Sequence, residues 1–145
     1  MDFLDDPEPH RPENRVLHRD DAPIIDLSEV DDVRPDVGIQ AIDELLELET
    51  MGAKLWHFEP GEEVGYHAHP EEEEFYFVLE GEFSLKLGPP DDPEYVTVGP
   101  GTFWAAGPYE PHGHRYVGEE TGVVLALGAP PGNDEVLNPY ELESP

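Results

Sequence analysis

The sequence predicts an all-β fold, an antiparallel sandwich or small barrel. Three observations predict it: eight short strand-like runs between residues 54 and 127, turn residues separating them, and no long helical period. With 14 glycines and 17 prolines, the chain is punctuated too often for a helical bundle. Its 145 residues suit one domain with a real core.

The elements follow in order. Residues 1–36 read as an irregular, acidic N-terminal arm, expected to be mobile or draped on the surface. Within it, Ile24-Ile25-Asp26-Leu27 can form an edge strand or dock on a neighbour. The barrel domain is expected over residues 37–130. Ile42, Leu45, Leu46 and Leu48 fit either one short helical turn or an irregular strand. Strands are then expected at Lys54–Glu59, Val64–His69, Glu74–Leu79, Glu82–Leu87, Glu94–Val98, Thr102–Ala106, His112–Val117 and Gly122–Leu127. Turn residues such as Pro60-Gly61, Gly88-Pro89-Pro90 and Gly99-Pro100-Gly101 divide them. Residues 131–145 read as a Pro-rich, polar tail.

Charge excludes whole classes of partner. Acidic residues number 35 against 7 basic ones, a formal charge of −28 at pH 7. Lys and Arg nowhere cluster, so a nucleic-acid binder that tracks phosphates is excluded. An anionic membrane surface would repel the chain, and no apolar run is long enough to span a bilayer. Met1–Asp6 lacks the basic start and apolar stretch of a secretory signal, so a cytoplasmic location is expected. Such self-repulsion is relieved by salt, and the composition resembles that of proteins from halophiles that accumulate salt. The absence of cysteine rules out disulfides, thiolate metal sites and a cysteine nucleophile. Any metal must therefore be held by nitrogen and oxygen.

Five histidines lie beyond the arm: His57, His67, His69, His112 and His114. Alternate residues of a strand share a face, so His67 and His69 project together, roughly 6.5–7 Å apart. Two imidazoles so placed can converge on one ion. Glu74 opens the next strand and can add a carboxylate; His112 opens a later one and can add a third imidazole. Three His and one carboxylate suit Fe, Mn, Ni, Zn or Cu rather than Mg or Ca, one divalent ion per subunit. Glu71 and Glu72 read as a solvated charge run. Glu73 is the fallback ligand, since strand alternation turns only one of Glu73 and Glu74 inward. His57, between Trp56 and Phe58, reads as structural. His114 shares the parity of His112 and reads as a hydrogen-bonded interior residue supporting the ligands.

The spacing carries a family resemblance. GEEVGYHAHPEEEEFYFVLEG, from Gly61 to Gly81, fits the first signature of the cupin superfamily throughout. Gly101 and His112 fall at matching positions of the second signature. There, Gly107 stands where the family usually has Pro, Tyr109 where it has Gly, and Tyr116 where it has Asn. The resemblance covers residues 52–128. It implies a double-stranded β-helix, or jelly-roll barrel, with a metal inside held by His67, His69, Glu74 and His112, and often a homodimer. Phe75, Phe77 and Leu79 oppose Glu74 in parity; if Glu74 points in, they point out and form an apolar stripe suited to a homodimer interface.

After the arm the only cations are Lys54, Lys86 and Arg115, so no phosphate clamp is evident. Tyr76, Phe103, Trp104 and Tyr116, with His114, point to a pocket for a neutral, apolar or aromatic small molecule. Tyr109 and Glu110, on the loop before His112, are placed to gate or contact it. Three functions stay open at this level: a metal-dependent oxygenase, a Lewis-acid isomerase, decarboxylase or lyase, and a non-catalytic binding or sensing module. A seed-storage-like structural role suits such a short acidic chain poorly.

Overall fold

A computed structural model describes residues 13–27, 37–131 and 135–142. The strands are β1 (Ile25–Asp26), β2 (Gly38–Gln40), β3 (Gly52–Phe58), β4 (Glu63–His67), β5 (Glu73–Glu80), β6 (Phe83–Leu87), β7 (Glu94–Val98), β8 (Phe103–Ala106), β9 (His112–Tyr116) and β10 (Gly122–Ala129). A single helical turn, α1 (Ile42–Leu45), precedes β3. All eight expected strands form, and the segment left open at Ile42 is helical. Two antiparallel sheets result. One has the order β1-β2-β3-β10-β5-β8, the other β4-β9-β6-β7. This is the two-sheet barrel expected of a double-stranded β-helix.

Strand alternation divides each sheet into two faces. On β5 the inward set is Glu74, Tyr76 and Val78, all buried, while Glu73 and Phe75 are exposed. Phe58, Phe83, Leu85, Val78, Val124 and Ile39 fill the space between the sheets. Phe58 meets Phe83 edge-on, with ring centres 5.0 Å apart. His57 takes the opposite face to Trp56 and Phe58, as its structural reading requires, and bonds Gln40 at 2.7 Å.

The arm is more tightly held than its composition indicates. Two 3-10 turns, Glu13–Arg15 and Arg19–Asp21, lie against the barrel, and Ile25-Asp26 forms the edge strand β1. The buried amide of Gln40 donates to the carbonyls of Arg19 (2.6 Å) and Ala22 (2.9 Å). Leu27 is buried among the core residues. The rest of the arm, including His10, falls outside the described residues.

Gly81 shows why one turn needs glycine. Its φ is +87°, in the left-handed region, and a Cβ there would lie 2.6 Å from the Tyr116 ring. Strain and overpacking add, so Gly81→Ala is expected to cost about 2–4 kcal/mol in urea unfolding. A loss below about 0.5 kcal/mol would contradict this packing.

Candidate metal centre

Both sheets contribute to one cluster. In the four-stranded sheet, His67 at the end of β4 pairs with His112 at the start of β9. The register shifts between Val64 and His67, so β4 carries an extra residue and His67 swings inward. Glu74, at the start of β5, faces them from the six-stranded sheet. The sequence places His69 two residues along the same strand as His67. In the structure the strand ends at His67, and the next residue, Ala68, bridges to Leu137 instead. His69 still turns to the same side. The four donor atoms of His67, His69, Glu74 and His112 all lie within 4.8 Å of one another.

Backbone carbonyls orient each imidazole. Nδ1 of His67 lies 2.6 Å from the Gly65 carbonyl, Nδ1 of His69 2.8 Å from that of Glu135, and Nδ1 of His112 2.9 Å from that of Glu110. A carbonyl can only accept, so each Nδ1 carries the proton and each Nε2 faces the cluster. Nε2 of His67 and His69 are 3.1 Å apart. Oε1 of Glu74 lies 2.8 Å from Nε2 of His69 and 3.0 Å from that of His112. Ligands about 2.0–2.2 Å from a shared ion and at right angles stand about 3 Å from one another. Three ring nitrogens and a carboxylate oxygen facing inward at such separations fit one transition-metal ion.

The Tyr76 hydroxyl lies under the cluster. It donates to Oε2 of Glu74 and is 3.3 Å from Nε2 of His112. That bond occupies Oε2 and leaves Oε1 for the cluster. Burial, and then the Glu74 charge, hold the Tyr76 hydroxyl protonated, its pKa well above the usual phenol value. Burial alone would raise the Glu74 carboxyl. Hydrogen bonds with His112, His67 and His69 outweigh it and hold the group well below the usual carboxylate range. Burial opposes charge on His69 as well, but the Glu74 hydrogen bond and charge raise its pKa to about 9.

A metal must therefore displace a proton from His69 at neutral pH. Metal affinity is expected to rise with pH up to about 9 and to flatten above it. Calorimetry at pH 7 in two buffers of different ionisation heat should show proton release; identical heats would contradict it.

The remaining expected pocket residues divide. Trp104 and His114 are buried and Trp104 stacks on Tyr76, ring centres 4.7 Å apart. His114 faces inward as its parity predicts, but not as a hydrogen-bonded residue. Neither ring nitrogen has a hydrogen-bond partner among the described residues, and the rings of Phe58, Tyr76, Phe83 and Trp104 surround it. Burial drops its pKa to about 3, keeping it neutral. Phe103 does not line the pocket. It neighbours the inward Trp104, so alternation sends it outside, where it is 61% exposed and packs on Phe77. Tyr116 lies in the core against Phe83 and the glycines at 81, 118 and 122, four residues along β9 from His112. The Tyr109 ring is exposed. Its φ of +61° keeps the left-handed backbone that suits the family's glycine there, and its N–H donates to the His69 carbonyl at 2.7 Å. Glu110 turns back to bond the Gly107 N–H.

Three contributors escape the sequence reading. Glu71 and Glu73 are exposed as a solvated run requires, but Glu72 is half-buried. A Cβ on Gly128 would lie 2.1 Å from its carboxylate, so only glycine there lets Glu72 fold in. Its charge raises the pKa of both His69 and Tyr76. Glu135 and Leu137, in the supposed tail, support His69 and Ala68. Gly128, which pairs with Glu74 between β10 and β5, was the one signal for Glu72 in the sequence.

Fold and cluster define the class of protein: a two-sheet β-barrel with a His3Glu group able to hold a metal. The chain belongs to the cupin family, with residues 54–128 matching the Cupin domain. No curated protein sequence matches the chain. Among solved structures it is similar to the polyketide cyclase RemF from Streptomyces resistomycificus, at 25% identity and a TM-score of 0.69, over 89% of this chain and 86% of that one. It is similar to KdgF from Halomonas sp. at 20% identity and a TM-score of 0.64, over 81% and 95%. A predicted oxalate decarboxylase from Thermotoga maritima gives 20% and 0.65, over 79% and 97%. No helix among the described residues is long and apolar enough to cross a membrane.

Proposed function

We propose that the chain is a metal-dependent enzyme, oxygenase-like, acting on a neutral or aromatic small molecule. The convergence of three Nε2 atoms and Glu74 Oε1 within 4.8 Å carries this reading. His67, His69, Glu74 and His112 would hold one Fe, Mn, Ni, Zn or Cu ion, which supplies Lewis acidity and, if redox-active, reactivity toward dioxygen. The chain's own residues do the rest. Tyr76 holds Glu74 in place through its hydroxyl, which burial and the Glu74 charge keep protonated. The Trp104 indole N–H and the His114 ring are buried polar groups one layer below, without hydrogen-bond partners among the described residues and suited to meet an oxygen of a bound ligand. The Tyr76–Trp104 stack offers an aromatic wall.

The test joins elemental analysis of the purified protein with oxygen uptake on a panel of diketones, phenols and amino-acid derivatives. Bound transition metal with turnover supports the reading. Metal-free protein whose melting is unmoved by added metal overturns it.

The likeness to a polyketide cyclase favours a second reading, in which the same residues serve non-redox chemistry. Ring closure by condensation consumes no oxidant, so metal-dependent turnover without oxygen uptake selects it. Tight ligand binding without turnover selects a sensing role.

The outward stripe of Phe75, Phe77 and Phe103 supports a homodimer through the β5–β8 face. Light scattering of the folded protein in high salt should give twice the chain mass, and a monomer overturns the dimer. We place the protein in a cytoplasm rich in salt, on the ground of its charge of −28.

A further inference from the structure

Residues 135–142 read as a tail, yet they run beside the metal-centre residues. Leu137 and Ala68 exchange both backbone hydrogen bonds, at 2.8 and 3.1 Å. Ala68 is fully buried and lies between the two ligands His67 and His69. Two residues earlier, the Glu135 carbonyl accepts from Nδ1 of His69. His69 lies past the end of β4, so its ring takes this support from another segment rather than from its own strand.

The far end of the segment is fastened as well. Pro139 is fully buried. The Tyr140 hydroxyl accepts from Nζ of Lys86 at 2.8 Å. That ammonium sits 4.1 Å from the centre of the Tyr66 ring and 5.4 Å from that of Tyr140. The two tyrosine rings meet edge-on at 5.7 Å. Tyr66 immediately precedes His67, and its hydroxyl bonds the Gly88 carbonyl. Lys86 lies on β6, in the same sheet.

We infer that residues 135–142 form a strap that positions His69 for the metal, and that Tyr140 and Lys86 are its clasp. Tyr140 and Lys86 are positioning residues: they touch no ligand atom and act through Glu135 and His69. A ring held at Nδ1 has its Nε2 aimed and its basicity raised, and loss of such outer support lowers metal affinity. The inference rests on the metal reading above.

Cobalt(II) is the probe, because its visible absorption reports coordination directly. The full-length chain is compared with Tyr140→Ala, Lys86→Met and the conservative Tyr140→Phe. Tyr140 and Lys86 lie at the surface, so each variant is expected to fold. Tyr140→Ala and Lys86→Met are each expected to weaken Co2+ binding about tenfold and to change its visible bands. Tyr140→Phe, which keeps the ring over the ammonium, should restore most of both. Unchanged affinity and spectrum in Tyr140→Ala, even with a lowered melting temperature, would overturn the strap: the segment would then serve only the fold. Wild-type protein that takes up no Co2+ would overturn the metal reading, and the strap with it.

Discussion

Glu74→Gln is expected to lower the affinity for divalent transition metals on the order of 100-fold, about 2.7 kcal/mol. Glu74 brings the only negative charge among the four donors; the three imidazoles bring none. The substitution is isosteric, so the bond from Tyr76 can be kept and the barrel should fold. An amide, however, offers a neutral carbonyl at best and an N–H at worst, in a site where a divalent charge needs compensation. Chelator competition measures the affinity. Added metal should raise the melting temperature of the wild type and leave the variant nearly unmoved. Glu73→Gln is the control. Glu73 is exposed on the opposite face of β5, so its loss should change neither quantity. A Glu74→Gln protein that binds within threefold of wild type would show that the carboxylate is not a ligand.

Lowering the salt from 1 M to 0.01 M is expected to drop the melting temperature on the order of 10 °C. Over that range the screening length grows from about 3 Å to about 30 Å. At the low end, each carboxylate feels most of the others in a chain with 35 acidic and 7 basic residues. Ion pairs relieve little of this. Lys54–Asp43 at 2.7 Å and Arg19–Glu80 at 3.4 Å each neutralise one acid. For a chain of this size the expected fall corresponds to roughly 3 kcal/mol. An uncharged osmolyte should not substitute for the salt, because it does not screen. A melting temperature indifferent to salt would mean that the acidic surface is too dispersed to destabilise the folded state, and would remove the ground for a salt-rich setting.

Much of this was legible in the residues alone. The barrel strands could be read because alternation and turn residues are local properties. β5 shows it best: the alternation that buries Glu74, Tyr76 and Val78 sends Phe75 outward. The four candidate donors were legible from another signal, the spacing of the cupin signatures, into which His67, His69, Glu74 and His112 fall. Where parity was ignored, the reading failed. Phe103 and Trp104 are neighbours and cannot share a pocket. Parity also gave the direction of His114, but not its surroundings, which four rings from other strands supply.

Three features depended on the tertiary structure. The extra residue on β4 that turns His67 inward exists only relative to β9. Glu72 leaves the solvated run because Gly128, 56 positions later in the chain, leaves room for it. Glu135 and Leu137 meet His69 and Ala68 only once the chain has folded, 66 and 69 positions apart in sequence. The sequence by itself determined the strands, through periods of two residues and turn chemistry, and the four candidate donors, through the spacing of the cupin signatures. Which backbone carbonyls hold the imidazoles, and which segment passes beside them, was decided by contacts between residues far apart in the chain. No local period encodes such contacts; they come into being when the two sheets close on one another.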